Sequence, residues 1–566
     1  MRRGPALFLL ICLLVASAYG AQRVVLEGFD RVTGFKPTHM TGVRPPAGPP
    51  PLAQRVVLIL AEGLRPDDAR LLPTVDWMAE RGAQLAISVP EPGYGVPAAA
   101  TLLTGAQPEV HGVLLRDGRL GADNMLSAAQ RVGLAAGGAG GADLGHLLQG
   151  SALENWEVAA TPDALAEASK ALLGPNGPKF VVLHSHFLAA EIRRLETASR
   201  DSADYRNALA QFDFALVRLI EQIDWKTTAV VLAGTVPVGA DGAYAPASAV
   251  PLVMAGPGIK AGFRGEANLI DVASTLSALA GAPVPLANSG RPVLGALEVT
   301  DGRPTDLVML KVLEARRAYT EGILGALGAV TSTPEMPTDP TGADEYLAKL
   351  DQQIRDAQFS AWRTWGLALA PYAGGALLLI LIYLFIVLRA PFGGPVIGGV
   401  FTYAAVFHVI FFLTGGSYSA ALPGLEEPGQ GVVLGLASPG AGAMVAATMV
   451  TGYLLSRKGF KKRAYVATAA LHMTLTAALL MALPVAVILG RTGWDFTVSL
   501  PKTGLLIWFF ATGLQVMVMG YLSPLWAGLA VSAAALSRKW WPLKEIGDPE
   551  RNADKVVRLK ALRRTR

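Results

Sequence analysis

The sequence predicts an α/β domain, a parallel sheet flanked by helices, followed by an all-α multi-span transmembrane domain. Apolar runs of strand length alternate with helical patterns between residue 55 and about 298. Such alternation builds a parallel sheet with helices on both faces. Beyond about residue 365, long apolar segments recur, each near the roughly 20 residues that a helix needs to cross a bilayer. The charged fraction is 16% of the 566 residues, against about 25% in an average soluble domain, and the deficit falls mostly in this second half.

Residues 1–21, within "MRRGPALFLLICLLVASAYGAQ", open with Arg2 and Arg3 and continue as an apolar run to Ala18. They read as a signal peptide or an N-terminal anchor. The run is short for a span, so cleavage near Ala18 or Gly20 is the favoured expectation. Residues 22–54, with "KPTHMTGVRPPAGPPPLAQ", read as a Pro/Gly-rich extended lead-in. The exported domain covers 55–298. Its strands are expected at "RVVLILA", "KFVVLHSHF", "TTAVVLAGT" and "VPLVMAGPGI", and its helices at "LLPTVDWMAERGA", "DYRNALAQFDFALVRLIEQI" and "IDVASTLSALAGA".

A helical neck, 299–363, leads to a transmembrane domain, 364–537, with about five spans: 365–388, 396–414, 432–455, 466–489 and 503–536. The last is too long for one straight crossing and should kink or break near Pro524. A basic tail follows, 538–566. The basic loop 456–463 and the tail belong in the cytoplasm by the positive-inside rule, which places residues 22–300, 416–431 and 490–502 outside. The implied location is the cell membrane, multi-pass, with the 55–298 domain extracytoplasmic. The spans carry no Asp, Glu, Lys or Arg centrally. His408 and His472 lie within them and read as interhelical hydrogen-bonding groups.

The net charge of +5 is concentrated in those two basic clusters, so nucleic acid is not an implied partner. The lone cysteine, Cys12, excludes an intrachain disulfide, a cysteine zinc site and a thiol nucleophile in the exported domain.

The stretch "VVLILAEGLRPDDA" places Glu62 where a buried strand ends, the position at which open α/β sheets bind ligands. Asp67 and Asp68 follow Pro66 and read as the start of the next helix. In order along the chain, "VVLILAEGLRPDD", "LPTVDWMAERGA", "GYGVPAAATLLTGAQPEVHGV", "VPLVMAGPGIKAG" and "NLIDVASTLSALAGAPVP" resemble the alkaline phosphatase superfamily. The nearest branch is that of the phosphodiesterases and membrane-bound ethanolamine phosphate transferases. The resemblance spans about residues 55–298 and implies an alkaline-phosphatase-like sheet domain. In active members two zinc-like ions about 4 Å apart clamp a phosphoryl group that a Ser or Thr attacks.

Position by position, the resemblance implies loss. The first metal Asp is matched by Glu62, and the nucleophile, two residues before Pro97, by Gly95. Tyr94 is adjacent but needs strong activation, because a phenol ionises near pH 10. The D-x-x-x-H pattern is absent from "HSHFLAAEIRRLE", and D-H-G is replaced near Ala233–Val236. Asp241 lies where the last family histidine is expected. Thr101 and His111 match structural positions. The expected remnant pocket is therefore Glu62, Tyr94, Gly95 and Asp241, with Glu62 the residue able to hold a metal. His184 and His186 alternate on one strand and are more readily satisfied within the sheet edge.

These residues imply a binding or assembly module at the cell envelope without a cofactor. Its partners would be the lipid bilayer and an envelope phospholipid, polymer or membrane protein. One alternative is an active metal-dependent phosphotransferase or phosphodiesterase using zinc or manganese on envelope lipid or polymer, with a site rebuilt around Glu62, Tyr94, His184, His186 and Asp241. Another is a membrane scaffold or conduit capped by the exported domain.

Overall fold

The computed structural model describes residues 3–37, 43, 45–115, 118–151, 153, 155–242, 245, 248–298, 305–329, 332–414, 431–492 and 498–540. Helix α1 (Arg3–Thr33) precedes an eight-stranded sheet of β1 (Arg55–Ala61), β2 (Ala83–Ser88), β3 (Ala136–Gly140), β4 (Asn155–Val158), β5 (Phe180–Ser185), β6 (Thr228–Gly234), β7 (Val250–Ala255) and β8 (Phe263–Asn268). The strand order is β4-β3-β5-β1-β6-β7-β2-β8. Interleaved with the strands are α2 (Pro66–Ala69), α3 (Pro73–Arg81), α4 (Gly95–Thr104), α5 (Pro108–His111), α6 (Met125–Arg131), α7 (Ala142–Leu147), α8 (Pro162–Leu173), α9 (Phe187–Leu195), α10 (Ala203–Ile220) and α11 (Asp271–Ala280).

β1 lies near the middle of the sheet and is covered on both faces, which is why it reads as an unbroken apolar run. Leu58 and Leu60 pack into one core with α4, α6, α7 and α11. Val57 and Ile59 pack into the other with α3, α8, α9 and α10. The sheet is mixed rather than wholly parallel: β7 runs antiparallel to both β6 and β2. A parallel return needs a crossover, usually a helix, and the described residues between β6 and β7 contain none. β5, β1 and β6 are parallel neighbours, with Ala61 level with Ser185 and Gly234. Their C-terminal ends therefore meet at one place.

Beyond Pro66, Asp67 and Asp68 begin α2. Asp68 is fully buried, accepting hydrogen bonds from Tyr205 Oη (2.7 Å) and Arg200 Nε (2.9 Å), with Arg65 Nε 3.6 Å away. Breaking a buried charge pair leaves its partners uncompensated. Asp68→Ala should therefore destabilise the protein by about 3 kcal/mol, read as a fall in its chemical-unfolding midpoint. An unchanged midpoint would show that this network does not hold α2 to α10.

The second half contains α12 (Thr305–Ala326), α13 (Ala343–Arg389), α14 (Gly393–Leu413), α15 (Gly431–Arg457), α16 (Arg463–Thr492), α17 (Thr503–Tyr521) and α18 (Ser523–Trp540). The expected neck and first span merge, since α13 runs unbroken across residue 363. The long last segment breaks at Leu522, next to Pro524. Four described helices are long and apolar enough to cross a membrane: Pro5–Thr33, Gly393–Leu413, Arg463–Ala482 and Thr503–Tyr521. The apolar end of α13, Gly374–Arg389, is shorter. The expected outer loop 416–431 falls, except for Gly431, outside the described residues, as does the tail beyond Trp540.

The N-terminal segment differs most from expectation. α1 continues through Ala18–Gly20 to Thr33, so residues 22–33 are helix rather than extended lead-in. No proline interrupts the chain between Pro5 and Pro37, and proline is the strongest helix breaker. α1 packs antiparallel along α17. A Cβ at Gly520 would stand 2.3 Å from the Leu14 carbonyl oxygen, one at Gly513 2.2 Å from Val25 Cγ2, and one at Gly28 2.7 Å from Phe509 Cε1. Small residues at these positions allow the close approach. At the far end, Val32 joins Leu114, Leu500 and Leu506 in a cluster that fastens the sheet domain to the bundle. The Leu500 N–H donates to Glu109 O (2.8 Å) and Thr503 Oγ1 to Glu91 O (3.4 Å).

Candidate functional site

The site lies at the joined ends of β1, β5 and β6, beside the N-terminus of α4. Glu62 directly follows β1 and is 8% exposed. Its Oε1 is 2.8 Å from His184 Nε2, on the penultimate residue of β5. Burial alone pushes the Glu62 carboxyl up. The charge and hydrogen bond of His184, then the charges of His186 and Arg193, outweigh that, leaving it below its ordinary range.

Gly95 opens α4 with φ +27°, and a Cβ there would stand 3.1 Å from Glu62 Oε1. The position expected for the nucleophile thus faces the carboxylate and carries no side chain. Tyr94 is buried at the N-cap of α4, and its hydroxyl donates to Leu114 O at 2.7 Å. That bond ties up the phenol proton a substitute nucleophile would have to give away.

His184 and His186 do not alternate along one strand. β5 ends at Ser185, and His186 is the N-cap residue of α9. The turn still brings the rings to a centroid separation of 6.0 Å. His184 Nδ1 is buried without a hydrogen-bond partner among the described residues. Burial and then the charge of His184 push the His186 imidazole below its ordinary value, against the opposing charges of Glu62 and Asp143. Room for both rings depends on Gly141, where a Cβ would stand 2.9 Å from His186 Nδ1 and 3.1 Å from His184 Nδ1.

The cavity here is about 50 Å³, lined by Glu62, Tyr94, Gly95, Val96, Asp143, His186, Arg193 and Val236. Pockets for organic ligands are commonly about 300–1,000 Å³, whereas a few waters need only tens of Å³. Asp241 does not line this cavity. It is exposed on a turn tied to the segment after α9 by the Ala198 N–H···O=C Ala240 bond of 3.2 Å, and a Cβ at the neighbouring Gly242 would meet Thr197 and Ile192. Sequence reasoning missed Asp143 and Arg193. Asp143 follows a glycine-rich strand, β3, that has no apolar run to announce it. Arg193, an exposed residue of the amphipathic α9, lines the cavity beside the buried Ile192 face, and that amphipathic pattern is the one signal the sequence offers for it.

The donors do not fit a two-ion phosphoryl clamp. Glu62 is engaged with His184, while positions 234–236 provide only Gly, Thr and Val. Among the described residues no group of three or more His, Cys, Asp or Glu side chains is placed to hold a metal ion. Thr101 and His111 are buried against each other, with Thr101 Oγ1 3.0 Å from His111 Nε2. The Val113 N–H donates to His111 Nδ1 at 3.1 Å, so Nε2 carries the proton.

No family model matches the sequence, and no curated protein matches it. Solved structures resemble its fold. One similar structure is a Vibrio parahaemolyticus protein of the alkaline phosphatase superfamily, 16% identical, covering 47% of this chain and 77% of its own at a TM-score of 0.35. Human ectonucleotide pyrophosphatase/phosphodiesterase 5 is 12% identical, over 44% and 100%, at 0.37. A putative sulfatase of Bacteroides thetaiotaomicron is 16% identical, over 43% and 74%, at 0.35. At these identities and scores no residue's role passes from those proteins to this chain. The chain joins this eight-stranded sheet domain to helices long and apolar enough to cross a membrane.

Proposed function

We propose that this chain is an integral membrane protein whose sheet domain has lost phosphoryl-transfer chemistry and serves as a binding or assembly module at the cell envelope, without a metal cofactor. The observation that carries the reading is Gly95 facing Glu62 in a cavity of about 50 Å³. An attacking group, its activating metal and room for an ester are needed together at that point. The segment 91–114, which carries the turn, is also the segment bonded to the membrane bundle. That suits a domain whose task is attachment. The test is the full-length protein loaded with zinc or manganese, assayed for bound metal and for turnover of aryl phosphate mono- and diesters. Well under one ion per chain and background turnover are expected. Two tight ions and a turnover lost in Glu62→Ala would overturn the reading.

In this proposal the domain lies outside the cell and the basic ends inside. Arg538 Nη1 donates to Lys461 O at 3.3 Å, which brings the end of α18 to the basic loop 456–463. With Cys12 replaced by serine, a cysteine at Lys461 should resist an impermeant thiol reagent in intact cells and react after lysis. Labelling in intact cells would reverse the topology. α1, packed along α17, stays on the mature protein. The intact mass should therefore include residues 3–33, and a mass corresponding to a start after Gly20 would contradict this.

A further inference from the structure

A second cavity, of about 500 Å³, opens where the sheet domain meets the bundle and shares no lining residue with the Glu62 cavity. Val32, Thr33, Phe35 and Lys36 form one wall, Gly112, Leu114, Leu115 and residues 118–121 another, and Gln149 and Gly150 the rim. We propose that it binds the headgroup of a phospholipid of net negative charge, drawn from the leaflet on the domain's side of the membrane.

Position is the first support. Thr33 ends the apolar helix Pro5–Thr33, and Val32 packs on Leu506 near the start of Thr503–Tyr521. Two helices able to cross the bilayer thus begin or end at the level of the cavity, where headgroups lie. Charge is the second. Lys36 and Arg119 line the cavity, neither has an ion-pair partner among the described residues, and no described acidic side chain lines it. Unpaired cations at a bilayer surface attract anionic lipid. The shape of the walls is the third. Phe35 packs so closely on Gly112 that a Cβ there would stand 2.4 Å from Phe35 Cδ1. The Lys36 stem runs past Gly121, where a Cβ would stand 3.7 Å from Lys36 Cγ. Leu114, Leu115 and Leu120 add apolar surface beside the two cations, the mixture a lipid's phosphate and glycerol region requires. Deeper along α1, Val24, Val25, Leu479, Phe509 and Val516 line an apolar groove of about 230 Å³ on the same helix, suited to an acyl chain.

The inference rests on the non-catalytic reading in one respect: the lipid is a ligand and not a substrate. The test uses full-length protein in phosphatidylcholine nanodiscs doped with phosphatidylglycerol, with retained lipid read by native mass spectrometry after release into detergent. Phosphatidylglycerol should be retained in preference to phosphatidylcholine. The double variant Lys36→Gln/Arg119→Gln should lower that retention roughly tenfold or more, since each cation near the surface contributes to lipid attraction. Gln149→Trp, a rim substitution at an exposed residue, should lower it by filling the cavity. Both variants change surface positions, and an unchanged thermal midpoint checks that they fold. No preference for phosphatidylglycerol, or unchanged retention in both variants, would overturn the proposal. Displacement of the lipid by free glycerol phosphate at equal concentration would assign the cavity to a soluble phosphate and also overturn it. Assaying the same discs for lipid breakdown separates the two readings. Cleaved lipid sinks the non-catalytic reading, whereas loss of retention sinks this one.

Discussion

Gly95→Thr is expected to leave turnover of aryl phosphate esters at the uncatalysed rate, with or without added zinc or manganese. An active enzyme exceeds that rate by about 10⁶-fold or more, so the two outcomes are well separated. Restoring the hydroxyl does not restore its surroundings. The backbone at Gly95 has φ +27°, where a residue with a Cβ is strained, and that Cβ would stand 3.1 Å from Glu62 Oε1. The Glu62 carboxylate is already paired with His184, and among the described residues no group of three or more His, Cys, Asp or Glu is placed to hold a metal that would lower the hydroxyl's pKa. Metal-dependent turnover arising from this single change would mean that a complete metal site exists, and the reading of Gly234, Thr235 and the His184–His186 turn would be wrong.

The second large effect is acid destabilisation through His111. This imidazole is buried and kept neutral, and burial pushes it from 6.5 down to about 3. A histidine whose folded value is depressed is protonated more readily when unfolded. The unfolded state therefore binds more protons between pH 6.5 and about 3, and stability falls as pH falls through that window. The change corresponds to about 4–5 kcal/mol by the low end of the range. The lowered carboxyl of Glu62 acts in the same direction but further down: its contribution is present above its unfolded value and is lost as pH falls through the folded one. Thermal midpoints measured from pH 7 to 4 should drop steeply in the wild type. They should drop less in His111→Gln, which can retain hydrogen bonds to Thr101 and Val113 without a titrating ring. Parallel curves would show that His111 does not set the acid limit.

The strands that announced themselves were those buried on both faces. β1, β5, β6 and β7 are continuous apolar runs because they lie inside the sheet. β8, at one edge, alternates exposed and half-buried residues around Gly265 and Glu266 and carries no such signal. β3 is Ala-Gly-Gly-Ala-Gly, which on propensity alone is a poor strand. It exists because its neighbours come too close for side chains: a Cβ at Gly138 would stand 2.5 Å from Val182 O and 2.8 Å from Trp156 Cζ3. A requirement of that kind comes from other parts of the chain and cannot be read from five residues.

The same division runs through the site and the membrane half. Local sequence alone determined that a carboxylate ends β1, that a glycine stands before Val96 and Pro97, and that apolar helices follow, because each depends on residues close together in the chain. Tertiary structure decided what those residues meet. Parallel pairing of β5 with β1 set His184 against Glu62, and the packing of α7 and α9 at the strand ends added Asp143 and Arg193. The bond from Ala198 to Ala240 drew the Asp241 turn away toward the segment after α9. The N-terminal segment shows the limit most plainly. Its length and charge read as a leader, but Gly513 and Gly520, some five hundred residues later in the chain, provide the surface against which it packs as a full helix, because burial of an apolar face depends on a partner that local sequence does not contain.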